Sequence, residues 1–525
     1  MRVFLSGPMG SGKTTVLRAV AQRLGVPGLD LDEQVVARSG KTIPQLFEEG
    51  GEQVFREQEA QALNALLDRQ GESFVLALGG GTVTQPPLRQ RLLREGVLIT
   101  LEASVGALVL RLQSEQGRPL LDGSTSGEAL RQRVQALLAE RGPAYAECHA
   151  TVRTDQASVD AVAAEVVAVA EQPPIVVPLA KRTYQVQVGA GIRDRLATVL
   201  KAPSTVVLVT DDTVAPLWLK EFQDVLTALD LRHTTVILPA GEANKHSGSV
   251  QKIWDAALDF GIDRKACVLG LGGGVVGDMA GFAAATLLRG IAVGHVPTTL
   301  LSMVDSAIGG KTGFDTKVGK NLVGAFHQPR FVLADTDTLR TLPEQEYLAG
   351  FAEVVKSAWI ESEGAVAQLE QDVPGLLARE PEALARTVRM CCHMKARVVT
   401  EDEREAGLRA VLNLGHTVGH AIEAAQGYGA MRHGEAIALG MAAACRLAQR
   451  LGVQRPEEGA RLLRLLQAFK LDTHVDPHLT DTNLAYMGAD KKRDGQDVTF
   501  VVPGAPGAVT LRKMALVEVL AAVRP

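Results

Sequence analysis

Gly7-Pro-Met-Gly-Ser-Gly-Lys-Thr14 is the stretch on which the reading of this chain turns. It fits GxxxxGK[ST]. Arg2-Val-Phe-Leu-Ser6 before it reads as a short buried strand, and the residues after it open a helix. In that context the glycines let backbone N–H groups turn inward on phosphate oxygens. Gly10, Ser11, Gly12 and Thr15 belong to this cradle, Lys13 reaches the outer phosphates, and the Thr14 hydroxyl ligates Mg²⁺.

Working outward, Phe74-Val-Leu-Ala-Leu78 and Val97-Leu-Ile-Thr-Leu101 are further strands with helical patterns between them. Such alternation predicts a parallel α/β sheet. Val159 to Ala170 reads as a last helix, and the tandem prolines of Glu171-Gln-Pro-Pro174 cannot continue it. A new strand-like run starts at Ile175, and Tyr184-Gln-Val-Gln-Val188 alternates as a strand should. The boundary is therefore set near residue 172. In the second unit Thr205 to Thr210, Thr234 to Leu238 and Ala266 to Leu271 read as strands. Beyond Leu342 helical patterns dominate to about Lys470, with a late hairpin at Val498 to Val502. The expected organisation is a P-loop domain over residues 1–171, an α/β half over 175–342 and a mainly α-helical half over 343–525.

Composition narrows the classes. The 525 residues are 46% hydrophobic and 22% charged, enough for more than one core. Fifty-five Lys+Arg against 60 Asp+Glu give a net −5, which supplies no global basic field for nucleic acid or an anionic membrane. The five cysteines are scattered without a CxxC pair, as in a reducing compartment with no disulfide framework. The apolar opening is too short for a signal peptide, and stretches such as Ile437 to Cys445 fall short of the roughly 20 residues that span a bilayer. A soluble, cytoplasmic protein is expected.

Asp30-Leu-Asp32 follows one helix after the cradle. Read as the end of a second strand, its two carboxylates point the same way, toward a Mg²⁺ shell and a hydroxyl acceptor. A capping pair at a helix start is the alternative. Arg56 lies on a helical stretch, Glu52 to Glu59, where a surface salt bridge competes with a ligand role. Leu78-Gly-Gly-Gly-Thr82 ends a strand and permits close substrate approach. With GRPLL and Arg141-Gly-Pro-Ala-Tyr145, these motifs make residues 1 to about 170 resemble a shikimate kinase. The resemblance implies ATP and Mg²⁺ as partners and phosphorylation of shikimate to shikimate 3-phosphate. It places Asp32, Arg56, Gly80 and Arg141 on shikimate, the arginines on its carboxylate, where a guanidinium fork bonds both oxygens. It puts Asp30 near Mg²⁺ and gives Arg118, in a polar lid from Ser114 to Gly127, the charge of the transferring phosphoryl group. A gluconate kinase of the same fold is the nearest alternative, and the two-arginine site favours shikimate. The presence of Lys13, Asp32, Arg56, Arg118 and Arg141 together favours catalysis over a degenerate sensing module.

Gly272-Gly-Gly-Val-Val-Gly277 matches GxGxxG after a strand, but the acidic residue about 20 positions on is missing, and Asp278 follows at once. An ordinary Rossmann dehydrogenase is not indicated. Glu242 and Lys245 follow another strand, while Lys311, Lys320 and Asn321 sit in glycine-rich surroundings with Asp305 and Arg289 near in sequence. Glu353 and Lys356 share a predicted helix, and His416 and His420 stand one turn apart ahead of His433. Glutamate plus two or three histidines suits catalytic zinc without being HExxH. Hydrogen-bonded core histidines are the other reading of that spacing.

Residues from about 175 to the end resemble a 3-dehydroquinate synthase, carried by PAGEANK, LGGGVVGDMAGFAAATLLRG, VPTTLLSMVDSAIGGKTGFDT, GKNLVGAFHQP, GFAEVVK, EREAGLRAVLNLGHTVGHAIE and HGEAI. The resemblance implies NAD⁺ as a regenerated cofactor and zinc, or cobalt in its place, held by Glu353, His416 and His433. It implies conversion of 3-deoxy-D-arabino-heptulosonate 7-phosphate to 3-dehydroquinate and phosphate. Asp211, Glu242, Lys245, Gly273, Gly274, Asp278, Thr298, Thr299 and Lys320 are then expected at NAD⁺. Asp305, Lys311, Asn321 and Lys395 are expected on substrate, with Lys356, Glu405, Arg409, Asn413 and His420 as catalytic groups. Arg289 is expected to reach a neighbouring subunit, which implies a homodimer, and one lysine of Asp490-Lys-Lys492 to reach substrate. A net polyol dehydrogenase is the enzymatic rival, and the dense set Lys311, Lys356, Lys395 and Arg409 argues instead for a substrate bearing phosphate and carboxylate. The two expected reactions are not consecutive, so co-expression at a fixed ratio explains the fusion without channelling.

Overall fold

The computed structural model describes residues 1–69, 71–113, 127–200, 202–427, 431–489 and 497–524. Two compact units divide it, Met1–Gln185 and Val186–Pro525. In the first, strands β1 (Arg2–Ser6), β2 (Gly28–Asp30), β3 (Phe74–Ala77), β4 (Val97–Glu102) and β5 (Ala150–Arg153) form a sheet of order β2-β3-β1-β4-β5. Every pairing is parallel. Side chains alternate across β1, so Val3 and Leu5 enter the core on one face of the sheet and Phe4 the core on the other. Because β1 lies between β3 and β4, the loops that leave β1 and β3 emerge side by side, and Leu78 N–H donates to Leu5 O at 2.9 Å. Ligand crevices of open parallel sheets form at such carboxyl ends.

The Asp30-Leu-Asp32 expectation is corrected here. Only Asp30 is in the strand. It is the N-cap of helix Leu31–Ser39, where its Oδ1 accepts the Asp32 N–H at 3.0 Å, so Asp32 lies in the first helical turn. The two carboxylates therefore do not point as strand neighbours.

The chain then builds a second sheet of the same architecture. Strands β6 (Ile175–Val177), β7 (Tyr184–Gly189), β8 (Val206–Asp211), β9 (His233–Leu238), β10 (Cys267–Gly272), β11 (Ala292–Pro297) and, after a hairpin, β14 (Phe331–Asp335) give the order β6-β7-β14-β11-β10-β8-β9. The hairpin is β12 (Lys311–Thr316) antiparallel to β13 (Gly319–Phe326). β10 is central and buried along its whole length, and it feeds helix Gly274–Thr286. Among the described residues the regular elements from Glu344 onward are helices until β15 (Asp497–Pro503) and β16 (Val509–Ala515) form an antiparallel hairpin. Helix Glu344–Glu361 is buried from Ala349 to Ile360 without a break, so it runs through the middle of the helical half. Helices His416–Gln426 and His433–Arg450 touch it and each other through bare backbone: a methyl on Gly434 would overlap the Ala349 carbonyl, and one on Gly440 the Gly415 carbonyl. Among the described residues no helix is long and apolar enough to cross a membrane.

Candidate active sites

In the first unit the loop after β1 turns back on itself. Gly12 adopts φ 91° as the N-cap of helix Lys13–Leu24, a conformation that favours glycine. Lys13 Nζ donates to the carbonyls of Gly7 (2.8 Å) and Pro8 (2.9 Å), which folds the ammonium over the cradle. Thr14 Oγ1 donates to Asp30 Oδ2 at 3.1 Å. The hydroxyl and carboxylate expected around Mg²⁺ are thus in contact, although Asp30 reaches that place as a helix cap.

The Gly79–Gly81 loop after β3 is the second wall. Arg56 lies against Gly81, and a Cβ added there would strike the guanidinium and displace it. Arg56 is ion-paired to Glu52 at 2.9 Å and to the fully buried Glu59 at 2.7 Å. Glu59 also accepts from Thr82 Oγ1 at 2.7 Å. The salt-bridged reading of Arg56 is therefore correct as far as it goes, and the same bridges hold the guanidinium beside the glycines. Buried Arg141 donates to Gly80 O at 3.3 Å, and the Tyr145 hydroxyl donates to the same oxygen. Burial pushes the Tyr145 phenol above its ordinary range, against the pull of Arg141. Asp32, Arg56, Gly80 and Arg141 are brought to one crevice. Arg118 lies outside the described residues, as do Asp490, Lys491 and Lys492.

The second unit has a cofactor side and a reaction side. Asp211, Gly272–Gly274 and Thr298–Thr299 lie at or just beyond the carboxyl ends of β8, β10 and β11, three neighbouring strands. Gly273 is the N-cap of helix Gly274–Thr286 with no side-chain cap, leaving helix N–H groups for an anion. Asp211 instead spends Oδ1 on the N–H groups of Thr213 and Val214, at 3.0 and 2.9 Å. Lys245 pairs with Asp278 at 2.6 Å and donates to Asn321 Oδ1 at 2.7 Å. Burial raises the Asp278 carboxyl to about 6 despite Lys245. Lys320 bridges Glu242 at 3.3 Å and Glu423 at 2.8 Å.

On the reaction side stand three almost fully buried cations, two of them facing carboxylates and the third a main-chain carbonyl. Lys356 pairs with Glu353, Lys395 with Asp305 at 2.6 Å, and Arg409 donates to the carbonyl of Gly309 at 3.2 Å. Glu405 joins Lys311 and accepts from Asn413 Nδ2 at 3.1 Å. Burial works against the Asp305 carboxylate, yet Lys395 and Lys356 hold it well below the usual range. Burial outweighs Asp305 in turn and lowers the Lys395 ammonium. Isolated charges would not tolerate such a site, so the cluster is built of opposites that an anionic ligand can rearrange.

Glu353 is 1% exposed, and neither of its oxygens has a well-formed hydrogen bond; its contacts are ionic. His416 Nε2 and His433 Nε2 both face its Oε1, at 3.6 and 3.7 Å. These separations are too long for hydrogen bonds and are of the size that two donors to one cation would span. The other ring nitrogens are turned away: His416 Nδ1 to Leu414 O at 3.2 Å and His433 Nδ1 to Glu423 Oε2 at 3.4 Å. Burial, aided by Lys356, holds the His416 imidazole neutral, as a ligand must be. His433 is pushed up to about 9 because Glu353 and Glu423 outweigh burial, so a proton supplies there the charge a divalent cation would bring. The ring nitrogens of His416, His420 and His433 also lie within 4.8 Å of one another. Glu353 is the better third donor, because His416 Nε2 and His433 Nε2 both face its buried Oε1, whereas His420 is exposed. The donor set fits zinc.

Arg289 is exposed, with φ 67°, and makes no hydrogen bond or ion pair to these groups among the described residues. Sequence reasoning missed Glu59, Tyr145 and Glu423. A signal for Glu423 existed: it follows His416 and His420 at helical spacing on the same face.

Residues 9–171 match the family model for shikimate kinase, 235–349 that for the N-terminal part of 3-dehydroquinate synthase and 350–493 that for its C-terminal part. The 3-dehydroquinate synthase of Acidithiobacillus ferrooxidans is 47% identical over 337 residues, 64% of this chain and 93% of that one. A crystal structure of 2-deoxy-scyllo-inosose synthase complexed with carbaglucose-6-phosphate, NAD⁺ and Co²⁺ is 27% identical at a TM-score of 0.61, over 67% of this chain and 99% of its own. That of the 2-epi-5-epi-valiolone synthase ValA from Streptomyces hygroscopicus, with NAD⁺ and Zn²⁺ bound, is 28% identical at 0.60, over 65% and 95%.

Proposed function

The chain belongs to the 3-dehydroquinate synthase family and carries a shikimate kinase domain ahead of the synthase, and from that premise we propose how its residues divide two reactions. It is an enzyme with both activities, phosphorylating shikimate at the expense of ATP and converting 3-deoxy-D-arabino-heptulosonate 7-phosphate to 3-dehydroquinate and phosphate.

In the kinase, Lys13 and the backbone of Gly10 to Thr15 hold the ATP phosphates, and Thr14 with Asp30 holds the Mg²⁺ shell. Arg56 and Arg141 take the shikimate carboxylate, and Asp32 accepts the proton of the attacking hydroxyl.

In the synthase, Glu353, His416 and His433 hold zinc, or cobalt, and the glycines of 272–274 with Thr298, Asp278 and Lys245 hold NAD⁺. When bound, NAD⁺ takes a hydride from the substrate and returns it while the metal polarises the oxygen involved, so no net redox change occurs. Lys356 and Lys395 hold the substrate's oxygen side, Lys311 and Arg409 its phosphate. Asn413 orients Glu405, and His420 carries a proton at the mouth of the site. The burial of Lys356, Lys395 and Arg409 strengthens their contacts. A homodimer completed by Arg289 of each protomer and a cytoplasmic location belong to the same reading; five buried cysteines, none in a disulfide, support the latter.

The observation that carries the synthase assignment is the buried Glu353 carboxylate between two histidines and beside Lys356. The test gives the NAD⁺-loaded protein the heptulosonate phosphate with and without a chelator, following phosphate and NADH together. Phosphate release that is chelator-sensitive and accumulates no NADH is expected. NADH rising without phosphate would mean a dehydrogenase.

A further inference from the structure

Glu423 has no role in the assignments above, yet it is 5% exposed and fully engaged. Its two oxygens are divided between two partners. Oε1 accepts from Lys320 Nζ at 2.8 Å, and Oε2 faces His433 Nδ1 at 3.4 Å. An imidazole presents one nitrogen to a metal only when the other is committed, and the group that commits it sets tautomer and ring angle. For His416 that group is a main-chain carbonyl, Leu414 O, two residues back on its own chain. For His433 it is a side chain from another helix, His416–Gln426, so the orientation of His433 depends on one substitutable residue.

The second arm reaches the cofactor side. Lys320, on the β12–β13 hairpin, lies between Glu423 and Glu242, and Glu242 follows β9 at the carboxyl end of the sheet. Glu423 thus touches both a metal-side histidine and a cofactor-side lysine.

We infer that Glu423 is the positioning residue for His433 and that, through Lys320, it couples occupancy of the metal site to occupancy of the cofactor site. The inference rests on the metal assignment to Glu353, His416 and His433. Coupling of this kind is reciprocal: each ligand strengthens the other by the same factor.

The experiment strips the full-length protein of metal and titrates it with zinc against a chromophoric chelator, then with cobalt, reading the visible absorption of the bound ion. Glu423→Gln keeps the shape and removes the charge; its zinc affinity is expected to fall about 10–100-fold and its cobalt spectrum to change. Glu423→Asp, which restores a carboxylate, is expected to recover part of the loss. Adding NAD⁺ is expected to tighten zinc binding in the parent protein and not in Glu423→Gln or Lys320→Met. Thermal melting and circular dichroism of the metal-free samples report folding of the unit that holds Glu423, and shikimate phosphorylation serves only to normalise the amount of protein. A parent protein that takes up zinc beside a Glu423→Gln that binds it within about twofold, with an unchanged cobalt spectrum, overturns the positioning role alone. A parent protein that takes up neither ion overturns the metal assignment, and the inference with it.

Discussion

Replacing Gly440 by alanine tests whether the packing of bare helix backbone is what aims the metal-binding histidines. The added methyl would stand 2.8 Å from the carbonyl carbon of Gly415 and 2.8 Å from the amide nitrogen of Gly419, with the Gly415 oxygen nearer still. Non-bonded carbons rest at about 3.5–4.0 Å, so helices His416–Gln426 and His433–Arg450 must separate by about 1 Å. Gly415 has φ 82° and is the N-cap immediately before His416, so it offers no slack that would leave His416 in place. His416 Nε2 then moves by a similar distance relative to Glu353 and His433, which it now faces across gaps suited to one ion. Overpacking of this kind costs about 1–3 kcal/mol. A misplacement of about 1 Å costs about 100-fold in rate. The assay is phosphate release from the heptulosonate phosphate, with zinc retained after dialysis measured on the same sample. Shikimate phosphorylation provides the internal control, since no residue of the kinase crevice is touched. Synthase activity within about threefold of the parent, with zinc retained, would refute the claim that this contact sets the site.

Three further outcomes follow from the same geometry. Glu353→Gln leaves Lys356 buried without its carboxylate; breaking such a pair costs about 3–5 kcal/mol, and chemical unfolding of the metal-free synthase unit is expected to show it, a loss under about 1 kcal/mol contradicting the pairing. Asp278 titrates near 6, above its unfolded value of about 4, so its contribution to stability is complete below about pH 4 and is lost as pH rises through about 6. The melting temperature of the synthase unit should therefore fall less between pH 5 and about 7.5 in Asp278→Asn than in the parent, and parallel curves would remove Asp278 from the account. Lys13→Met should lower shikimate phosphorylation by about 100–1,000-fold and leave phosphate release unchanged; an unaltered kinase rate would remove Lys13 from catalysis.

The phosphate cradle was legible because everything it needs is contiguous. A strand, glycines that accept positive φ, a lysine and a hydroxyl follow one another over a dozen residues, and local sterics suffice to shape them. The parallel strands and the late hairpin were legible for the same reason, their apolar runs having the right length and period. Asp30 shows where local reading failed: a carboxylate at the end of a strand and one that caps the next helix occupy the same place in the chain, and only the Asp32 N–H on Asp30 Oδ1 tells them apart. The spacing of Glu353, His416 and His433 left core histidines as well as metal ligands open, and the family resemblance chose the metal. The fold adds two imidazole nitrogens facing one buried Glu353 oxygen, an arrangement of three packed helices that supports the metal reading. Glu59 under Arg56 carried no local mark, and Glu423 showed only its helical spacing from His416 and His420, not its place between Lys320 and His433. Lys320 and Glu423 are 103 residues apart, and charge pairing across that distance exists only after the hairpin and the helix have met. Short-range sterics and hydrophobic period therefore determined the elements and their loops, while the partners of buried charges were settled by tertiary packing, because desolvation acts on a group only once the rest of the fold has closed around it.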